Sequence, residues 1–156
     1  MNSLNEKIKD FLGQEKIAVA GVSRNPEGGF ANRIYQKLKQ AGYRVFAVNP
    51  YAKSVEGDRC YPDLKAIPGG VDGLVICTHP EISIQIVRDC IEAGVPRVWM
   101  HSSFGEGITS QDAVKLCREN DISVIAGACP MMYCPPVDFG HRCMRAILKL
   151  TGKLPQ

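Results

Sequence analysis

The sequence predicts an α/β fold: a doubly wound, mostly parallel sheet of about five strands with helices on both faces. Short apolar runs rich in β-branched residues alternate at least four times with segments whose apolar residues recur at helical spacing. Glycine or proline separates most of these segments. Because consecutive parallel strands need a crossover connection, this alternation favours a sheet that is covered by helices on both faces.

In the first half of the chain the pattern predicts two helices and two strands. A lead helix is expected over residues 4–12, where an apolar stripe is interrupted by charged residues. Residues 16–20 form a short apolar run, and a glycine-containing loop connects them to a helix over residues 31–40. A second strand, residues 43–48, is expected to stop at Asn49-Pro50, because proline cannot donate to a strand ladder.

The second half continues the alternation. Residues 55–68 contain glycine and prolines, so we expect only short elements there, with Asp63 capping a turn of helix over residues 64–67. Residues 127–138 are also rich in proline and are expected to form a loop. One domain is predicted over residues 1–156: a lead helix within 1–13, a strand at 73–77, a helix at 82–93, a strand at 95–100, a helix at 113–120, a strand at 122–126 and a closing helix within 137–151.

Composition bounds the class of protein. The 156 residues are 45% hydrophobic and 22% charged, as in an ordinary globular domain, and the net charge of +3 without a basic run does not point to nucleic acid. No run approaches the ~20 apolar residues of a membrane span, and the amino terminus lacks the apolar segment of a signal peptide. The seven cysteines form no C-x-x-C pair. We interpret them as reduced thiols, which predicts a cytoplasmic location.

Polar loops are expected to meet at one edge of the sheet, because ligands of such folds bind at the carboxyl ends of the strands. His101 and Ser102 follow one of these strands and offer hydrogen bonds to a ligand. The candidate surface comprises residues 21–30, which end at Phe30, and residues 49–53, 78–80 and 101–105.

The first loop of this surface, from Gly21 onward, has the composition of a phosphate-binding turn. A glycine-rich loop between a strand and a helix directs N–H groups and a positive helix end toward a phosphate. Ser23 and Asn25 offer donors, and Arg24 offers a charge. The loop lacks the G-x-G-x-x-G pattern, so a turn without a ligand is the alternative.

The end of the second strand discriminates between nucleotides. A typical NAD site places an acidic residue there to bind the ribose hydroxyls. Here Asn49-Pro50 follows the strand, no carboxylate occurs until Glu56, and Lys53 adds a positive charge. A neutral or basic loop suits a ribose that carries a 3′-phosphate. The alternative is that Asn49-Pro50 only ends the strand.

Short motifs along the chain have a recognisable order. They are Ala18-Val-Ala-Gly-Val-Ser23, Val48-Asn-Pro50, Gly57-x-x-Cys-Tyr-Pro62, Ile67-Pro68, Val71-Asp72, Trp99 after Gly94-x-x-x-Val98, and Gly127-x-Cys129-Pro-Met-Met132. Together they resemble the CoA-binding domain family, whose fold is also that of the amino-terminal domain of the succinyl-CoA synthetase alpha subunit. The resemblance covers about residues 15–132 and implies a Rossmann-like fold that binds coenzyme A at the strand carboxyl ends.

The resemblance also implies roles for individual positions. Many family members have lysine directly after the Asn-Pro pair, whereas this chain has Tyr51 there and Lys53 two residues later. By position, the resemblance assigns Gly21, Val22, Ser23, Arg24 and Asn25 to the pyrophosphate loop, Asn49 and Pro50 to the adenosine side, and Cys77, Thr78, His79 and Pro80 to the loop under the pantetheine arm.

Other chemistries are conceivable but disfavoured. Residues 129–143 contain three cysteines and a histidine, but C-x₄-C with H-x-C is not a common ligand pattern, so no metal is expected. His79 and His101 follow strands and are candidates for a general base. No carboxylate is directly adjacent to His101, and no nucleophile–base–carboxylate set is recognisable, so hydrogen bonding to a ligand is favoured.

We therefore expect a cytoplasmic protein that binds coenzyme A or acyl-CoA and has no catalytic apparatus of its own. In the synthetase, the phosphorylated histidine and the nucleotide site belong to a second domain and a beta subunit, for which this sequence has no room. One alternative is an oxidoreductase that uses NAD or NADP, which the missing acidic residue disfavours. The other is a regulatory module that delivers CoA to a partner protein. A homodimer is possible, and neither nucleic acid nor a membrane is expected as a partner.

Overall fold

A computed structural model describes residues 2–25, 29–101 and 109–152. None of the helices in this part of the chain has both the length and the apolar content needed to cross a membrane. The strands are β1 (Lys16–Ala20), β2 (Arg44–Val48), β3 (Ser54–Val55), β4 (Asp58–Tyr61), β5 (Gly73–Ile76), β6 (Arg97–His101) and β7 (Ser123–Ala128). The helices are α1 (Leu4–Leu12), α2 (Phe30–Gln40), α3 (Pro80–Ala93), α4 (Gln111–Glu119) and α5 (Phe139–Leu150), with a 3₁₀ turn at Pro130–Met132.

The strands form one sheet in the order β3-β4-β2-β1-β5-β6-β7. All neighbouring pairs are parallel except the antiparallel pair β3–β4. The doubly wound α/β prediction is confirmed, but seven strands in the described residues replace the expected count of about five. The difference is the hairpin β3–β4, whose strands of two and four residues are too short to show an alternating pattern.

The helices cover both faces of the sheet, and each face has its own apolar core. Phe11 of α1 and Ile34 of α2 belong to one core, whereas Val87 of α3 and Val114 of α4 belong to the other. Trp99 is fully buried on the α1 side, where its Nε1 donates to the carbonyl of Ala128 over 3.0 Å. This tryptophan is therefore a core residue.

Element boundaries differ from expectation where local chemistry extends an element. Helix α3 begins at Pro80 rather than at residue 82, because proline is tolerated at the first helical position. Strand β7 continues through Gly127 to Ala128, residues that were expected to lie in a loop, because its pairing with β6 persists across a register shift. Asp63 accepts a hydrogen bond from the Ala66 N–H over 2.9 Å, but it caps a turn rather than a helix.

Candidate functional site

An open cleft lies where the direction of the chain across the sheet reverses. From β1 the chain passes through α2 to β2 on one side, whereas from β5 it passes through α3 to β6 on the other. Ligands of open α/β sheets bind at this kind of switch point. The cleft has a volume of about 480 Å³, within the range of small-molecule sites.

The cleft contains some of the predicted residues and several that sequence reasoning missed. Five residues of the predicted ligand surface line the cleft: Gly21, Asn49, Pro50, Tyr51 and Thr78. The unexpected lining residues lie in the 62–64 turn and on one face of α3. The lining residues of α3 follow the first of them by three, four and seven positions, a spacing that places them on one face of a helix and could have indicated them. These further residues are Pro62, Asp63, Leu64, Ile82, Gln85, Ile86 and Asp89.

Gly21 lets the first loop pass close to the loop after β5. Its φ of +97° lies in the region that favours glycine, and its N–H donates to the carbonyl of Val48 over 3.3 Å. A Cβ at this position would lie 2.9 Å from the carbonyl oxygen of Cys77 and 3.2 Å from Cγ2 of Thr78. The two loops can therefore meet at this distance only if residue 21 has no side chain.

Within this loop, Ser23 is held by hydrogen bonds to the side chain of Asn32. The Ser23 N–H donates to Oδ1 of Asn32 over 2.8 Å, and Nδ2 of Asn32 donates to the Ser23 carbonyl over 3.0 Å. The Ser23 hydroxyl accepts from the Asn25 N–H over 3.1 Å. The N–H groups of Ser23 and Asn25 are therefore bonded within the protein rather than open to a phosphate. Ser23 is half-buried, and the side chains of Arg24 and Asn25 are exposed at the surface of this loop.

The N-terminus of α2, which follows this loop, has the features of an anion site. Its first residue is Phe30, its N-cap is Gly29, and among the described residues no side chain caps the terminal N–H groups. No acidic residue occurs in its first turn. The first N–H groups of a helix have no intrahelical partner and carry a partial positive charge, so this terminus favours a bound anion. Residues 26–28, which complete the loop, lie outside the described residues.

Asn49 connects the first loop to the turn after β2. Its Nδ2 donates to the carbonyl of Val22, which is itself fully buried, over 2.9 Å. Its Oδ1 accepts from the Tyr51 N–H over 2.8 Å. The NH₂ end of the amide thus holds the two loops together, and the oxygen end holds the turn after β2. Tyr51 is 81% exposed and Lys53 is also exposed, so both side chains lie at the surface near this turn.

Folding brings acidic groups to the cleft that were not recognised in the sequence. Asp63 and Asp89 line it, although they are distant from the second strand in sequence. Glu56, the first carboxylate after that strand, instead accepts hydrogen bonds from Asn32 and Gln36 on α2. These hydrogen bonds lower the pKa of the Glu56 carboxyl group. Glu56 therefore binds α2, and the carboxylates that line the cleft are those of Asp63 and Asp89.

On the other side of the loop, Phe30 and His101 form a stacked pair. Their ring centroids lie 5.4 Å apart at an interplanar angle of 29°, and Phe30 is 53% exposed. Nε2 of His101 is buried and has no hydrogen-bond partner among the described residues. Burial lowers the pKa of His101 to about 4, so the imidazole is neutral at pH 7. Ser102, which was expected to act beside it, lies outside the described residues.

The thiol at the end of β5 is not activated. Burial raises the pKa of the Cys77 thiol, and it has the same effect at Cys129 after β7. Both thiols are therefore protonated and poorly nucleophilic at neutral pH. His79 is exposed at the N-cap of α3, where its carbonyl accepts the Ser83 N–H over 3.2 Å. Pro80 is the first residue of that helix.

The residues considered for a metal do not converge. Among the described residues, no group of three or more histidine, cysteine, aspartate or glutamate side chains has an arrangement suitable for a metal ion. Nδ1 of His141 lies 2.6 Å from a carboxylate oxygen of Asp138, the N-cap of α5. Cys134 is buried, whereas Cys143 is exposed on α5. His141 therefore interacts with the N-cap residue of α5.

Comparison with known proteins identifies the family. The profile of the CoA binding domain matches residues 15–135. The chain belongs to this family. The resemblance drawn from the motifs is confirmed, and the matched residues include both loops that Asn49 connects.

CoA-binding domain relatives include short proteins and parts of much longer enzymes. The uncharacterized protein YneT of Bacillus subtilis is 26% identical over 129 residues, which are 82% of this chain and 92% of that protein. The alpha subunit of ADP-forming acetate–CoA ligase II of Pyrococcus furiosus is 33% identical over 98 residues, but the match covers 62% of this chain and only 21% of that subunit. A hypothetical protein of Pyrococcus horikoshii has a similar structure, with a TM-score of 0.73, 30% identity, and coverage of 81% of this chain and 87% of that one.

Proposed function

We propose that this CoA-binding domain binds coenzyme A, free or acylated, along the carboxyl edge of its sheet and leaves it chemically unchanged. Family membership supports coenzyme A as the ligand class. The ligase subunit that it resembles extends far beyond the matched region, so that enzyme's reaction is not assigned to this chain.

The adenosine is proposed to occupy the cleft beside α3. Pro50, Leu64 and Ile86 provide apolar walls for the base. Gln85 and Asp63 provide a donor and acceptors for the polar edge of the base. A mostly apolar cleft with a few polar groups is the usual form of a nucleotide site.

The pyrophosphate is proposed to lie over the first loop, between Ser23 and the uncapped end of α2. The hydroxyl of Ser23 would donate to it, and the exposed guanidinium of Arg24 would neutralise part of its charge. The helix N-terminus adds a favourable field, because its N–H groups lack intrahelical partners.

The pantetheine arm is proposed to continue toward Phe30 and His101. The half-exposed ring of Phe30 offers apolar surface to the arm. Nε2 of His101 is a buried polar atom without a partner in the described part of the chain, and an amide of the arm would supply one. Because the imidazole is neutral, the hydrogen bond does not require a charged ligand group.

A single observation carries the choice of coenzyme A over NAD. The position at which an NAD site requires a carboxylate holds Asn49, whose amide is already hydrogen-bonded to Val22 and Tyr51. A ribose with free hydroxyls therefore finds no carboxylate there. Asp63 and Asp89 lie elsewhere in the cleft, which makes NAD the competitor that a test must include.

Calorimetric titration of the protein with CoA, acetyl-CoA, NAD and NADP tests the proposal. We expect CoA to bind at least about tenfold more tightly than NAD, a difference of ~1.4 kcal/mol. Equal or tighter binding of NAD would overturn the assignment. The variant His101→Phe keeps the stacked ring but removes Nε2, so it should weaken CoA and leave ADP, which has no pantetheine arm, unchanged.

A further inference from the structure

Glu56 occupies a turn position that glutamate does not normally occupy. The two-residue connection between β3 and β4 has Glu56 at φ 51° and Gly57 at φ 80°. Both values are positive, as in a type I′ hairpin turn, where asparagine or glycine is the usual first residue. A glutamate there accepts backbone strain, so the reason for its presence lies in its side chain.

The side chain of Glu56 reaches across to α2. One carboxylate oxygen accepts from Nδ2 of Asn32 over 2.7 Å, and the other accepts from Nε2 of Gln36 over 2.9 Å. The carboxyl group titrates below its usual range because of these two hydrogen bonds, so it acts only as an acceptor at neutral pH.

Asn32 is the link between this carboxylate and the first loop. The residue is only 3% exposed, and its amide makes three hydrogen bonds: two with the backbone of Ser23 and one with Glu56. The Ser23 N–H requires Oδ1 and the Ser23 carbonyl requires the NH₂ group, so the backbone of Ser23 determines the orientation of the Asn32 amide. Glu56, which only accepts hydrogen bonds, binds the other hydrogen of the NH₂ group and reinforces that orientation.

We propose that Asn32 and Glu56 are positioning residues for the pyrophosphate of the ligand. Glu56 reinforces the position of the Asn32 amide, and Asn32 holds the backbone of Ser23 so that its hydroxyl faces the ligand. This inference rests on the proposed function. It adds that the hairpin β3–β4, which contributes no lining residue to the cleft, controls the affinity for phosphate-bearing ligands.

The test is the variant Glu56→Asn. Asparagine suits a positive φ, so the turn is retained, but its side chain is one methylene shorter and carries no charge. The matched control is Tyr35→Phe, which removes the 2.7 Å hydrogen bond from the Tyr35 hydroxyl to Asp58. That bond also ties α2 to the hairpin, but it does not involve Asn32 or Ser23.

Affinities for CoA, ADP and adenosine are to be measured by calorimetry or by NMR titration. Because Glu56→Asn removes one hydrogen bond to Asn32, the affinities for CoA and ADP should fall by about three- to tenfold. Adenosine, which has no phosphate, should change by less than about twofold, and the melting temperature should be retained. Tyr35→Phe should leave all three affinities within about twofold of the wild type.

The possible failures are distinguishable. Wild-type protein that binds neither CoA nor ADP would overturn the proposed function and this inference with it. If the wild type binds CoA and Glu56→Asn binds it equally well, only the positioning role is overturned. The same holds if Glu56→Asn weakens adenosine as much as ADP, because the variant would then have damaged the whole cleft. Asn32→Asp, which places a second carboxylate against Glu56, should lose ADP binding more severely.

Discussion

Replacing Gly21 with alanine should destabilise the protein far more than the same change at Gly42. Both glycines have a φ of +97°, so alanine is strained equally at the two positions. They differ in their surroundings. A Cβ on Gly21 would lie 2.9 Å from the Cys77 carbonyl oxygen and 3.1 Å from its carbon, whereas a Cβ on Gly42 would meet nothing within 4 Å.

The magnitude follows from these two contributions. The positive φ costs an alanine roughly 1–2 kcal/mol, and the reduced entropy of the unfolded chain returns about 0.4–1 kcal/mol. Gly42→Ala should therefore lower the free energy of unfolding by about 1 kcal/mol. Overpacking against a backbone carbonyl adds roughly 1–3 kcal/mol, so Gly21→Ala should cost about 3 kcal/mol in total.

Urea denaturation followed by circular dichroism measures both variants on the same scale. The expected difference of about 2 kcal/mol corresponds to melting temperatures that differ by roughly 4–8 °C in a protein of this size. The wild-type protein provides the reference for both. A difference between the two variants of less than about 0.5 kcal/mol would refute the claim that the first loop and the loop after β5 are in obligatory close contact.

Two further predictions concern charge and pH. In Ser23→Asp the new carboxylate should still accept the Asn25 N–H, but its repulsion of the pyrophosphate should lower the affinity for CoA at least about tenfold in calorimetry. The neutral variant Ser23→Asn should bind CoA more tightly than Ser23→Asp. Equal affinities would contradict a phosphate at this loop. The pKa of His101 falls from its ordinary 6.5 to about 4 on folding, so the unfolded chain takes up a proton first as the pH falls. Urea denaturation should therefore show that about 2 kcal/mol of stability is lost between pH 7.5 and pH 5, and that this loss is absent from His101→Gln.

The strand–helix alternation could be predicted from the sequence because it depends on local periodicity. The buried strands β1 and β5 appear in the sequence as short apolar runs, and glycines or prolines punctuate the chain between them. The strand ends, and hence the loops of the candidate site, follow from that periodicity together with the topology of parallel sheets. The hairpin β3–β4 was not identified, because strands of two and four residues carry no usable alternation.

Long-range contacts explain what the sequence did not reveal about the site. Asn32 is a polar residue within a helix, and only the folded structure buries it against Ser23 and Glu56. Asp63 and Asp89 reach the cleft from a turn and from α3, which are separated in sequence from the second strand. Chain topology brings these residues together, and a single sequence does not encode that proximity in any local pattern.

We also expect that the isolated protein does not hydrolyse acyl-CoA. Thioester hydrolysis requires an oriented general base or nucleophile and donors for the oxyanion. The imidazole nearest the proposed pantetheine path, His101, is stacked on Phe30, and its Nε2 has no partner among the described residues. Burial keeps the thiols of Cys77 and Cys129 protonated, so neither is an activated nucleophile.

Incubation with acetyl-CoA and succinyl-CoA, followed by assay of the free thiol, measures this activity. The rate should equal that of buffer, because neither His101 nor the thiols of Cys77 and Cys129 are activated. His101→Gln serves as the control, since it removes the imidazole while retaining polar atoms. Thiol release well above buffer that disappears in His101→Gln would identify His101 as a base and contradict the interpretation of the site as one that only binds.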